Sequence, residues 1–328
     1  MISVRAKDLK KTFGQVTAIQ NIDLEIQQGT VVGIIGPDGA GKTTLLRLLT
    51  GLLKPTSGTL SVEGIDVLRN PKKIKDDMGY MPQHFSLYGD LTVSENLRFY
   101  ADMYGVSRQA FDTRKKELLS FSGLSSFENR LARNLSGGMQ KKLALASALL
   151  HTPKILFLDE PTTGVDPVSR QELWGLLLQL NRLGVTLILT TPYMDEAQRC
   201  HLVGFLYKGK MLSFRSPKAL IQEMKEDVIE VITQEKRTKK VLQNLPGLKN
   251  IYPFGRALHL AFGPDEKGEE KTKALLEKNG IDVISIKKIS PSFEDVFLDL
   301  ILKQTTEQRK SASYTQGRAT QDIESEKI

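Results

Sequence analysis

The sequence is short of cysteine and of long hydrophobic runs, and both shortages exclude classes of protein. Its one cysteine, Cys200, excludes an internal disulfide and fits a reducing compartment. No apolar run approaches the roughly 18 residues that a membrane-spanning helix needs. The first residues, Met1 to Arg5, enter strand-like sequence without the apolar core of a secretion signal. We therefore expect a cytoplasmic protein, either free or peripheral to a membrane that it does not cross.

Basic residues are in excess, but the charge does not select a partner. The formal net charge of +8 permits nucleic acid, anionic lipid or a phosphate ligand. The basic runs at 72–75 and 236–240 have no interleaved aromatic residues. Solvated surface is the better interpretation of both runs, and we predict no nucleic-acid partner.

The length and the apolar content allow two domains with full cores, at 328 residues and 40%. Residues 1–220 alternate strand-like and helix-like segments, which predicts an α/β fold with a mostly parallel sheet. Thr92 and Glu95 are spaced as a capping box at the start of a helix over 92–104. Strands covered on both faces are predicted where the sequence is almost continuously apolar: 31–35, 155–158 and 185–189.

The pattern of predicted strands and helices changes after this region. Residues 225–303 predict a small α+β domain. Its predicted strands are 228–232, 256–262 and 283–286, and its predicted helices are 239–245, 271–278 and 293–302. Residues 304–328 contain almost no large apolar side chain, so their contacts cannot offset the entropy lost on ordering. We predict a disordered tail or linker there.

A glycine-rich turn lies between an apolar strand and an apolar helix. This order is what a phosphate-binding loop requires, because glycines let backbone amides converge on phosphate oxygens and the helix start adds partial positive charge. We predict that Lys42 reaches the β- and γ-phosphates and that Thr43 ligates Mg²⁺. The predicted loop comprises Gly36, Pro37, Asp38, Gly39, Ala40, Gly41, Lys42, Thr43 and Thr44.

A second candidate feature is the pair of carboxylates that ends the apolar strand at 155–158. If this strand neighbours the one before the loop, Asp159 can hold Mg²⁺, through water. Glu160 can polarise an attacking water as a general base. The alternative is that Asp159, Glu160 and the following proline form only a turn after a buried strand.

A second helix start with free amides follows Asn134. Ser136 is its natural N-cap, and Gly137 and Gly138 leave the amides accessible to a second anion. Together with the phosphate loop and the acidic strand end, the segment Leu-Ser-Gly-Gly-Met-Gln closely resembles the ATP-binding cassette (ABC) ATPases. The resemblance covers residues 1–215.

The resemblance implies a P-loop NTPase fold: a mostly parallel core sheet, an antiparallel β subdomain and a helical signature subdomain, followed here by the small α+β domain. It implies ATP and Mg²⁺ as ligands. It also implies ATP hydrolysis, in which Lys42, Gln83 and Glu160 form the catalytic group. The expected partner is a second cassette, as a second copy of this chain or as a different or fused one.

Further roles follow from matching positions. Phe13 matches the aromatic residue that stacks on adenine, and Gln83 matches the glutamine that approaches Mg²⁺ and senses the membrane partner. Residues 136–138 match the signature that presses on the γ-phosphate of ATP held by the other cassette. Asp166 matches the aspartate at the dimer seam. The alternatives are a core position for Phe13 and a surface position for Gln83.

Within the family, the segments around Asp166 and Tyr193 look like cassettes of the bacterial ABC-2 type exporters. This likeness implies an ABC-2 type transmembrane permease as partner, seated near residues 83–100. It also implies a peripheral position at the cytoplasmic face of the inner membrane, and efflux of a drug or another amphiphile. The C-terminal extension of those cassettes resembles the α+β segment of this chain.

The sequence departs from the family where a histidine that bonds the γ-phosphate should follow Thr191. Pro192 stands there, and proline has neither a side-chain donor nor a backbone N–H. The loss of one preorganised donor costs about 10²–10³ in rate in a well-studied case, so we predict impaired hydrolysis. His201 is a weak candidate to replace the donor. Asp38, where the family usually has asparagine, adds a mildly unfavourable charge near phosphate.

A cassette without this histidine makes most sense beside a competent one. Some exporters of this group fuse two cassettes, the first of them degenerate, and the tail from residue 304 would suit a linker to a second half. Two alternatives to a transport ATPase remain: a regulatory cassette that barely turns over, and a soluble ABC protein that acts on ribosomes. The cargo does not follow from the sequence.

Overall fold

The computed structural model describes residues 1–84, 87–264 and 266–305. The chain divides into two compact units, the first spanning Met1–Ser216 and the second beginning at Pro217. We describe each by itself. Within the described ranges, no helix combines the length and the hydrophobicity needed to cross a bilayer. The part of the predicted tail from residue 306 onward lies outside the described residues.

The first unit alternates strands and helices along the sequence. Its strands are β1 Ile2–Phe13, β2 Val16–Gln27, β3 Val31–Ile35, β4 Ser57–Val62, β5 Ile65–Asp66, β6 Met78–Met81, β7 Ile155–Asp159, β8 Thr186–Thr191, β9 Leu202–Tyr207 and β10 Lys210–Arg215. Its helices are α1 Lys42–Leu49, α2 Val93–Met103, α3 Arg108–Ser122, α4 Gly137–Ala148, α5 Pro167–Arg182 and α6 Met194–Ala197.

The core sheet of this unit has the strand order β10-β9-β3-β8-β7-β6. All neighbours are parallel except β10, which pairs antiparallel with β9. Every residue of β3, β7 and β8 is buried, as their continuous apolar sequences predict. The register pairs Ile35 with Thr191 and Asp159 with Thr190, so the carboxyl ends of the three strands lie at one edge.

A second sheet, order β2-β1-β4-β5, is antiparallel. Leu9 and Ile26 of this sheet share one hydrophobic cluster with Leu45 and Leu46 of α1 and with Phe157 of the core sheet. The first helix after the glycine-rich turn is therefore fixed by packing on both sides. The mostly parallel sheet and the antiparallel β subdomain of the predicted fold are both present.

The helical part of the first unit comprises α2, α3 and α4. The predicted capping box is confirmed: the Thr92 side chain accepts from the Glu95 amide at 3.2 Å, and the Glu95 carboxylate accepts from the Thr92 amide at 2.7 Å. Asn96 is buried in the same helix and donates to the Tyr88, Leu91 and Thr92 carbonyls. These bonds fix the chain that enters α2.

The second unit begins with α7 Pro217–Glu223 and continues as a βαββαβ unit followed by one more helix. Its sheet order β12-β13-β11-β14, with all pairs antiparallel, is the split βαβ, or ferredoxin-like, arrangement. The elements are β11 Asp227–Thr233, α8 Thr238–Leu242, β12 Leu248–Phe254, β13 Ala257–Phe262, α9 Gly268–Lys278 and β14 Val283–Ile289, and α10 covers 293–305.

The two faces of this sheet are covered differently. Ile229 and Leu260 belong to a cluster with Leu276 of α9 on one face. His259 projects to the opposite face because side chains alternate along a strand. There its Nδ1 lies 2.8 Å from the buried carboxylate of Asp295 in α10. A buried polar pair therefore joins the last helix to the sheet.

Candidate nucleotide site

The glycine-rich turn connects the buried end of β3 to the start of α1. Gly41, the last residue before the helix, has φ +104°, a conformation that side chains disfavour. A Cβ atom there would also lie 2.8 Å from the Ala18 carbonyl oxygen. The turn therefore requires glycine at this position, and the amides of the first turn of α1 face the loop.

Lys42, the first residue of α1, is 5% exposed. Its Nζ donates to the Gly36 carbonyl at 2.9 Å and lies 3.3 Å from Oε1 of Glu160, whose side chain is 7% exposed. Asp38 also lies 3.8 Å from this ammonium, but its carboxylate is fully exposed and contributes little. Lys42 and Glu160 therefore form a buried ion pair at the mouth of the loop.

Two hydroxyl groups meet one carboxylate oxygen beside this pair. Thr43 Oγ1 donates to Oδ1 of Asp159 at 3.1 Å, and Thr190 Oγ1 donates to the same oxygen at 2.7 Å. Mg²⁺ prefers oxygen ligands and is usually held by one or two protein groups together with substrate phosphates. A hydroxyl and a carboxylate in contact fit that requirement. The described residues contain no group of three or more His, Cys, Asp or Glu that would hold a metal without a phosphate ligand.

Glu160 is held from several directions. Its φ is +47°, a left-handed conformation that costs a non-glycine residue about 1–3 kcal/mol. Its amide donates to Thr190 Oγ1 at 2.9 Å. Its Oε2 accepts from Nε2 of Gln83 at 2.8 Å and from Oγ1 of Thr163 at 3.2 Å. Strain at a residue held this firmly is typical of a functional position. Gln83 is thus a partner of Glu160 and not a free surface side chain.

Lys42, Thr43, Gln83 and Glu160 line a cleft of about 720 Å³, whereas Asp159 is buried behind Thr43 and does not line it. It is lined by Val16, Thr17, Ala18, Gln20, Asp38, Gly39, Ala40, Gly41, Lys42, Thr43, Thr44, Gln83, Glu160, Lys208 and Gly209. The members from β2 and from the β9–β10 turn were not predicted. They come from β2, which pairs with β1, and from the turn between β9 and β10 at one edge of the core sheet. No motif marks them in the sequence.

Phe13 lies at the rim of this region. It is 49% exposed and pairs with Val16, which lines the cleft. Lys11 Nζ lies 5.0 Å from the centre of its ring. The alternative that Phe13 is a core residue is therefore wrong, and its ring is available to a flat ligand.

The remaining predicted residues form a second group, which does not line the cleft described above. Ser136 caps α4 and accepts from the Met139 amide at 3.3 Å, and Asp166 caps α5 and accepts from the Ser169 amide at 2.9 Å. A Cβ atom on Gly138 would lie 2.5 Å from the Ser169 side chain, so this glycine lets the two helix starts touch. The hydrogen bond to the Ser169 amide is the main cause that lowers the pKa of Asp166.

Lys141, on the second turn of α4, connects the two groups. Its Nζ donates to the Gln83 carbonyl at 2.8 Å and approaches the Glu160 carbonyl at 3.5 Å. Burial lowers its pKa, although the carboxylates of Glu160 and Asp159 oppose this effect. No signal in the sequence marks this contact, because a lysine on a helix is normally a solvated residue.

The candidate replacement donor, His201, lies at the wrong end of the sheet. Its Nδ1 accepts from the amide of Val31, the first residue of β3, at 2.9 Å. The phosphate loop follows the other end of that strand, at Ile35. Beside Pro192, the Thr191 hydroxyl donates to the fully buried Glu196 at 2.6 Å. His201 therefore cannot supply the donor that Pro192 lacks.

The chain is similar in sequence to known proteins. A family model described as ABC transporter matches residues 19–163. The probable multidrug ABC transporter ATP-binding protein YbhF of Escherichia coli (strain K12) is 42% identical over 287 residues, which cover 87% of this chain and 49% of that protein. The linearmycin resistance ATP-binding protein LnrL of Bacillus subtilis (strain 168) is 30% identical over 303 residues, which cover 90% of this chain and 97% of that protein.

A solved structure agrees with these sequence matches. The chain resembles the dimeric post-hydrolysis ATP-binding cassette MJ0796 bound to ADP and Pi, with a TM-score of 0.59 and 30% identity. This match covers 65% of the present chain and 98% of that cassette. The chain spans about half the length of YbhF, at 49%.

Proposed function

The chain belongs to the ABC transporter family of ATP-binding proteins, and we propose that it binds and hydrolyses ATP to power a membrane exporter. The observation that carries this proposal is the convergence of five polar side chains at the carboxyl edge of the core sheet. They come from three separate parts of the sequence: Lys42 and Thr43, Asp159 and Glu160, and Gln83. We assign ATP binding to the domain at 1–220 and no catalytic role to residues 225–303.

ATP occupies the cleft with its phosphates toward the loop. The backbone amides of residues 38–43 and the Lys42 ammonium bind the phosphate oxygens. Phe13, exposed at the rim, stacks on adenine. Thr43 and Asp159, with Gln83 lining the same cleft, would hold Mg²⁺, which would neutralise charge on the phosphate oxygens.

Glu160 is the general base of the proposed reaction. Its carboxylate takes the proton of a water molecule as the water oxygen bonds to the γ-phosphorus, and the bond to the β-phosphate oxygen breaks to give ADP and phosphate. The hydrogen bond from Gln83 at 2.8 Å and the strained backbone fix the direction of the carboxylate. Lys42 faces both this carboxylate and the triphosphate.

A second cassette completes the site in this proposal. Ser136, Gly137 and Asp166 are exposed together beside the contact of α4 with α5. Val168 adjoins them and is 68% exposed. The exposed helix start suits a triphosphate, and the exposed apolar side chain suits a protein surface. Both are expected of a partner that carries bound ATP. The partner is a second copy or a different cassette, and the half-length match to YbhF supports a tandem arrangement.

The membrane partner is proposed to bind a patch formed by Tyr88, which precedes α2, and by Phe99 and Met103 of α2. Tyr88, Phe99 and Met103 are 49%, 40% and 57% exposed, and the rings of Tyr88 and Phe99 meet edge to face at 4.6 Å. Tyr88 is five residues from Gln83 in the sequence, and we propose that a partner on the patch acts on the contact between Gln83 and Glu160. An amphipathic cytoplasmic helix of an ABC-2 type permease has the chemistry that this patch requires.

The relatives support drug or other amphiphile efflux as the transport task, since YbhF is named a probable multidrug transporter protein and LnrL a linearmycin resistance protein. The proposed location is the cytoplasmic face of the membrane that holds the permease. A second candidate function, a regulatory cassette with little turnover, is favoured by one observation. Pro192 leaves the γ-phosphate position without its usual donor, and His201 is too far along the sheet to replace it.

The deciding experiment measures ATP-dependent pairing together with ATP binding. The full chain with Glu160→Gln, saturated with Mg-ATP, is examined by sedimentation, alone and with a competent cassette. We expect ATP, but not ADP, to produce the paired species. No pairing in any combination, or no ATP binding by the parent chain, would refute the proposal.

Phe99→Asp is the test of the membrane surface: it should abolish co-purification with the permease while ATP binding is retained.

A further inference from the structure

Lys141 is the one described cation that joins the helix carrying the signature to the backbone of both Gln83 and Glu160. Its ammonium donates to the Gln83 carbonyl at 2.8 Å and lies 3.5 Å from the Glu160 carbonyl. Gln83 in turn donates to the Glu160 carboxylate at 2.8 Å. The three residues therefore form a closed network around the carboxylate.

The network also contacts the backbone of Glu160. The Glu160 amide is fixed by Thr190 of β8 at 2.9 Å, whereas its carbonyl faces α4. Because the residue has a positive φ, the direction of its side chain depends on both peptide groups remaining in place. A movement of α4 relative to the sheet would change the hydrogen bond from Lys141 and hence the position of this carboxylate.

The same helix presents its first turn to the surface. Gly137 and Lys141 are four residues apart, so about 6 Å of rigid helix separate them. Gly138 is in contact with Ser169 at the start of α5, next to Asp166. A ligand on the exposed helix start can therefore act on Lys141 without an intervening flexible segment.

We propose that Lys141 is a positioning residue: it transmits contact at residues 136–138 to Gln83 and Glu160, so that ATP held by the partner cassette promotes hydrolysis in this one. The inference deepens the proposed function and rests on it. It names the regulation of the site, because each cassette then activates the other through its own signature helix. Turnover should depend cooperatively on ATP for this reason.

Lys142 offers a matched control. It is the next residue of α4, but its Nζ is paired with Glu172 of α5 at 2.6 Å and makes no described contact with Gln83 or Glu160. Replacing either lysine by methionine removes one charge, keeps the length of the side chain and preserves helix propensity. The comparison separates the contact from general effects of charge.

The test measures turnover by the full chain across a range of ATP concentrations. Lys141→Met should lower kcat about tenfold, within the range usual for coupled sites, and bring the Hill coefficient toward one. Lys142→Met should keep the parent values, and Lys141→Arg should recover much of kcat because it keeps a cationic donor. ATP binding under non-pairing conditions and the thermal midpoint should stay near the parent values in all three variants.

A second measurement applies even if Pro192 keeps turnover low. In the Glu160→Gln background, Lys141→Met should raise the ATP concentration needed for half-maximal pairing about tenfold, because coupling between sites is reciprocal. Equal behaviour of the Lys141 and Lys142 variants in both measurements would overturn the inference while leaving the proposed function intact. A parent chain that never pairs with any cassette would refute the proposed function itself, and this inference with it.

Discussion

Two helices of the first unit begin with glycine-containing turns, but their surroundings differ. At α1, the first residue is the buried Lys42, 3.3 Å from Glu160, and the ends of two strands supply further polar groups. At α4, Ser136 and Gly137 are exposed, and the neighbouring Asp166 caps another helix. The first start belongs to an enclosed site, whereas the second is an open surface.

This difference explains how one fold could carry two helix starts suited to anions without placing them in one cleft. Amides and the helix dipole attract an anion in both cases. At α1 a lysine at the first position lies beside the hydroxyl of Thr43 and the carboxylate of Asp159, which suit a triphosphate with its metal. At α4 we described no such oxygens, so under the proposed function α4 contacts phosphate only when another molecule presents it. The comparison therefore predicts that damage at α1 abolishes binding, whereas damage at α4 abolishes pairing.

The largest effect is expected from Lys42→Met. It removes the ammonium that faces the triphosphate and leaves Glu160 without its cation, and turnover should fall at least about 10²–10³-fold. Binding of a fluorescent ATP analogue by the single chain should also be lost. An uncompensated buried charge costs about 3–5 kcal/mol, so the free energy of unfolding should fall as well.

The double variant Lys42→Met with Glu160→Gln is the control for the expected fall in the free energy of unfolding. Without the carboxylate there is no unpaired charge, so the thermal midpoint should recover although turnover does not. If the single and double variants unfold at the same temperature, the ion pair does not contribute as described.

The next effect concerns α4. Gly137→Asp places a carboxylate on an exposed first turn, where a negative charge is favourable to the helix itself but repels a triphosphate. Pairing in Mg-ATP should be lost and turnover should fall about 10²-fold, the scale of one lost donor. ATP binding by the single chain should be unchanged. Gly137→Ala is the control, since the nearest atom to an added Cβ is the Gly164 oxygen at 3.6 Å. If the aspartate variant lost ATP binding, the prediction that α4 acts only in pairing would be wrong.

A third variant tests whether the α1 site lacks a donor. Pro192→His should raise turnover about tenfold or more if the site is impaired, because the imidazole restores a donor near the γ-phosphate. Pro192→Ala restores only the backbone N–H and should stay near the parent rate. Equal, brisk rates of the parent and the histidine variant would show that the donor is dispensable and would remove the case for a regulatory cassette.

Hydrophobic patterns predicted the buried strands β3, β7 and β8 and three strands of the second unit, because continuous and alternating apolar runs report directly on buried strands. The other strands of the first unit were expected only as part of an alternating α/β pattern and were given no bounds. The strand β12, Leu248–Phe254, was missed, since Pro253 argues against a strand interior. The structure places β12 at the edge of its sheet, where proline is tolerated. Two helix ends also differed from the prediction. The helix α8 ends at Leu242 and not at residue 245, and α9 begins at Gly268 and not at residue 271.

Motifs predicted the residues around the phosphate loop because their spacing is local in the sequence. Lys141 and the cleft members Thr17 and Lys208 could not be predicted in this way. Their contacts depend on how α4, β2 and the β9–β10 turn approach the loop, and that approach is decided by packing. The place of His201 at the start of β3 likewise follows only from strand order.

The smallest expected effect separates capping from contact at the α4 helix start. Ser136→Ala removes an N-cap bond of 3.3 Å to the Met139 amide, and Ser107→Ala removes a bond of the same length to the Ala110 amide at α3. Each should cost about 1 kcal/mol, or about 2–4 °C in the thermal midpoint for a unit of this size. Only Ser136→Ala should also lower turnover, because only its hydroxyl would meet the partner's phosphate. The loss should stay below the roughly 10²-fold scale of one lost donor, since the backbone amides of the helix start remain. If both variants lose stability and neither loses turnover, Ser136 is a cap and nothing more, and the contact must be made by the backbone amides alone.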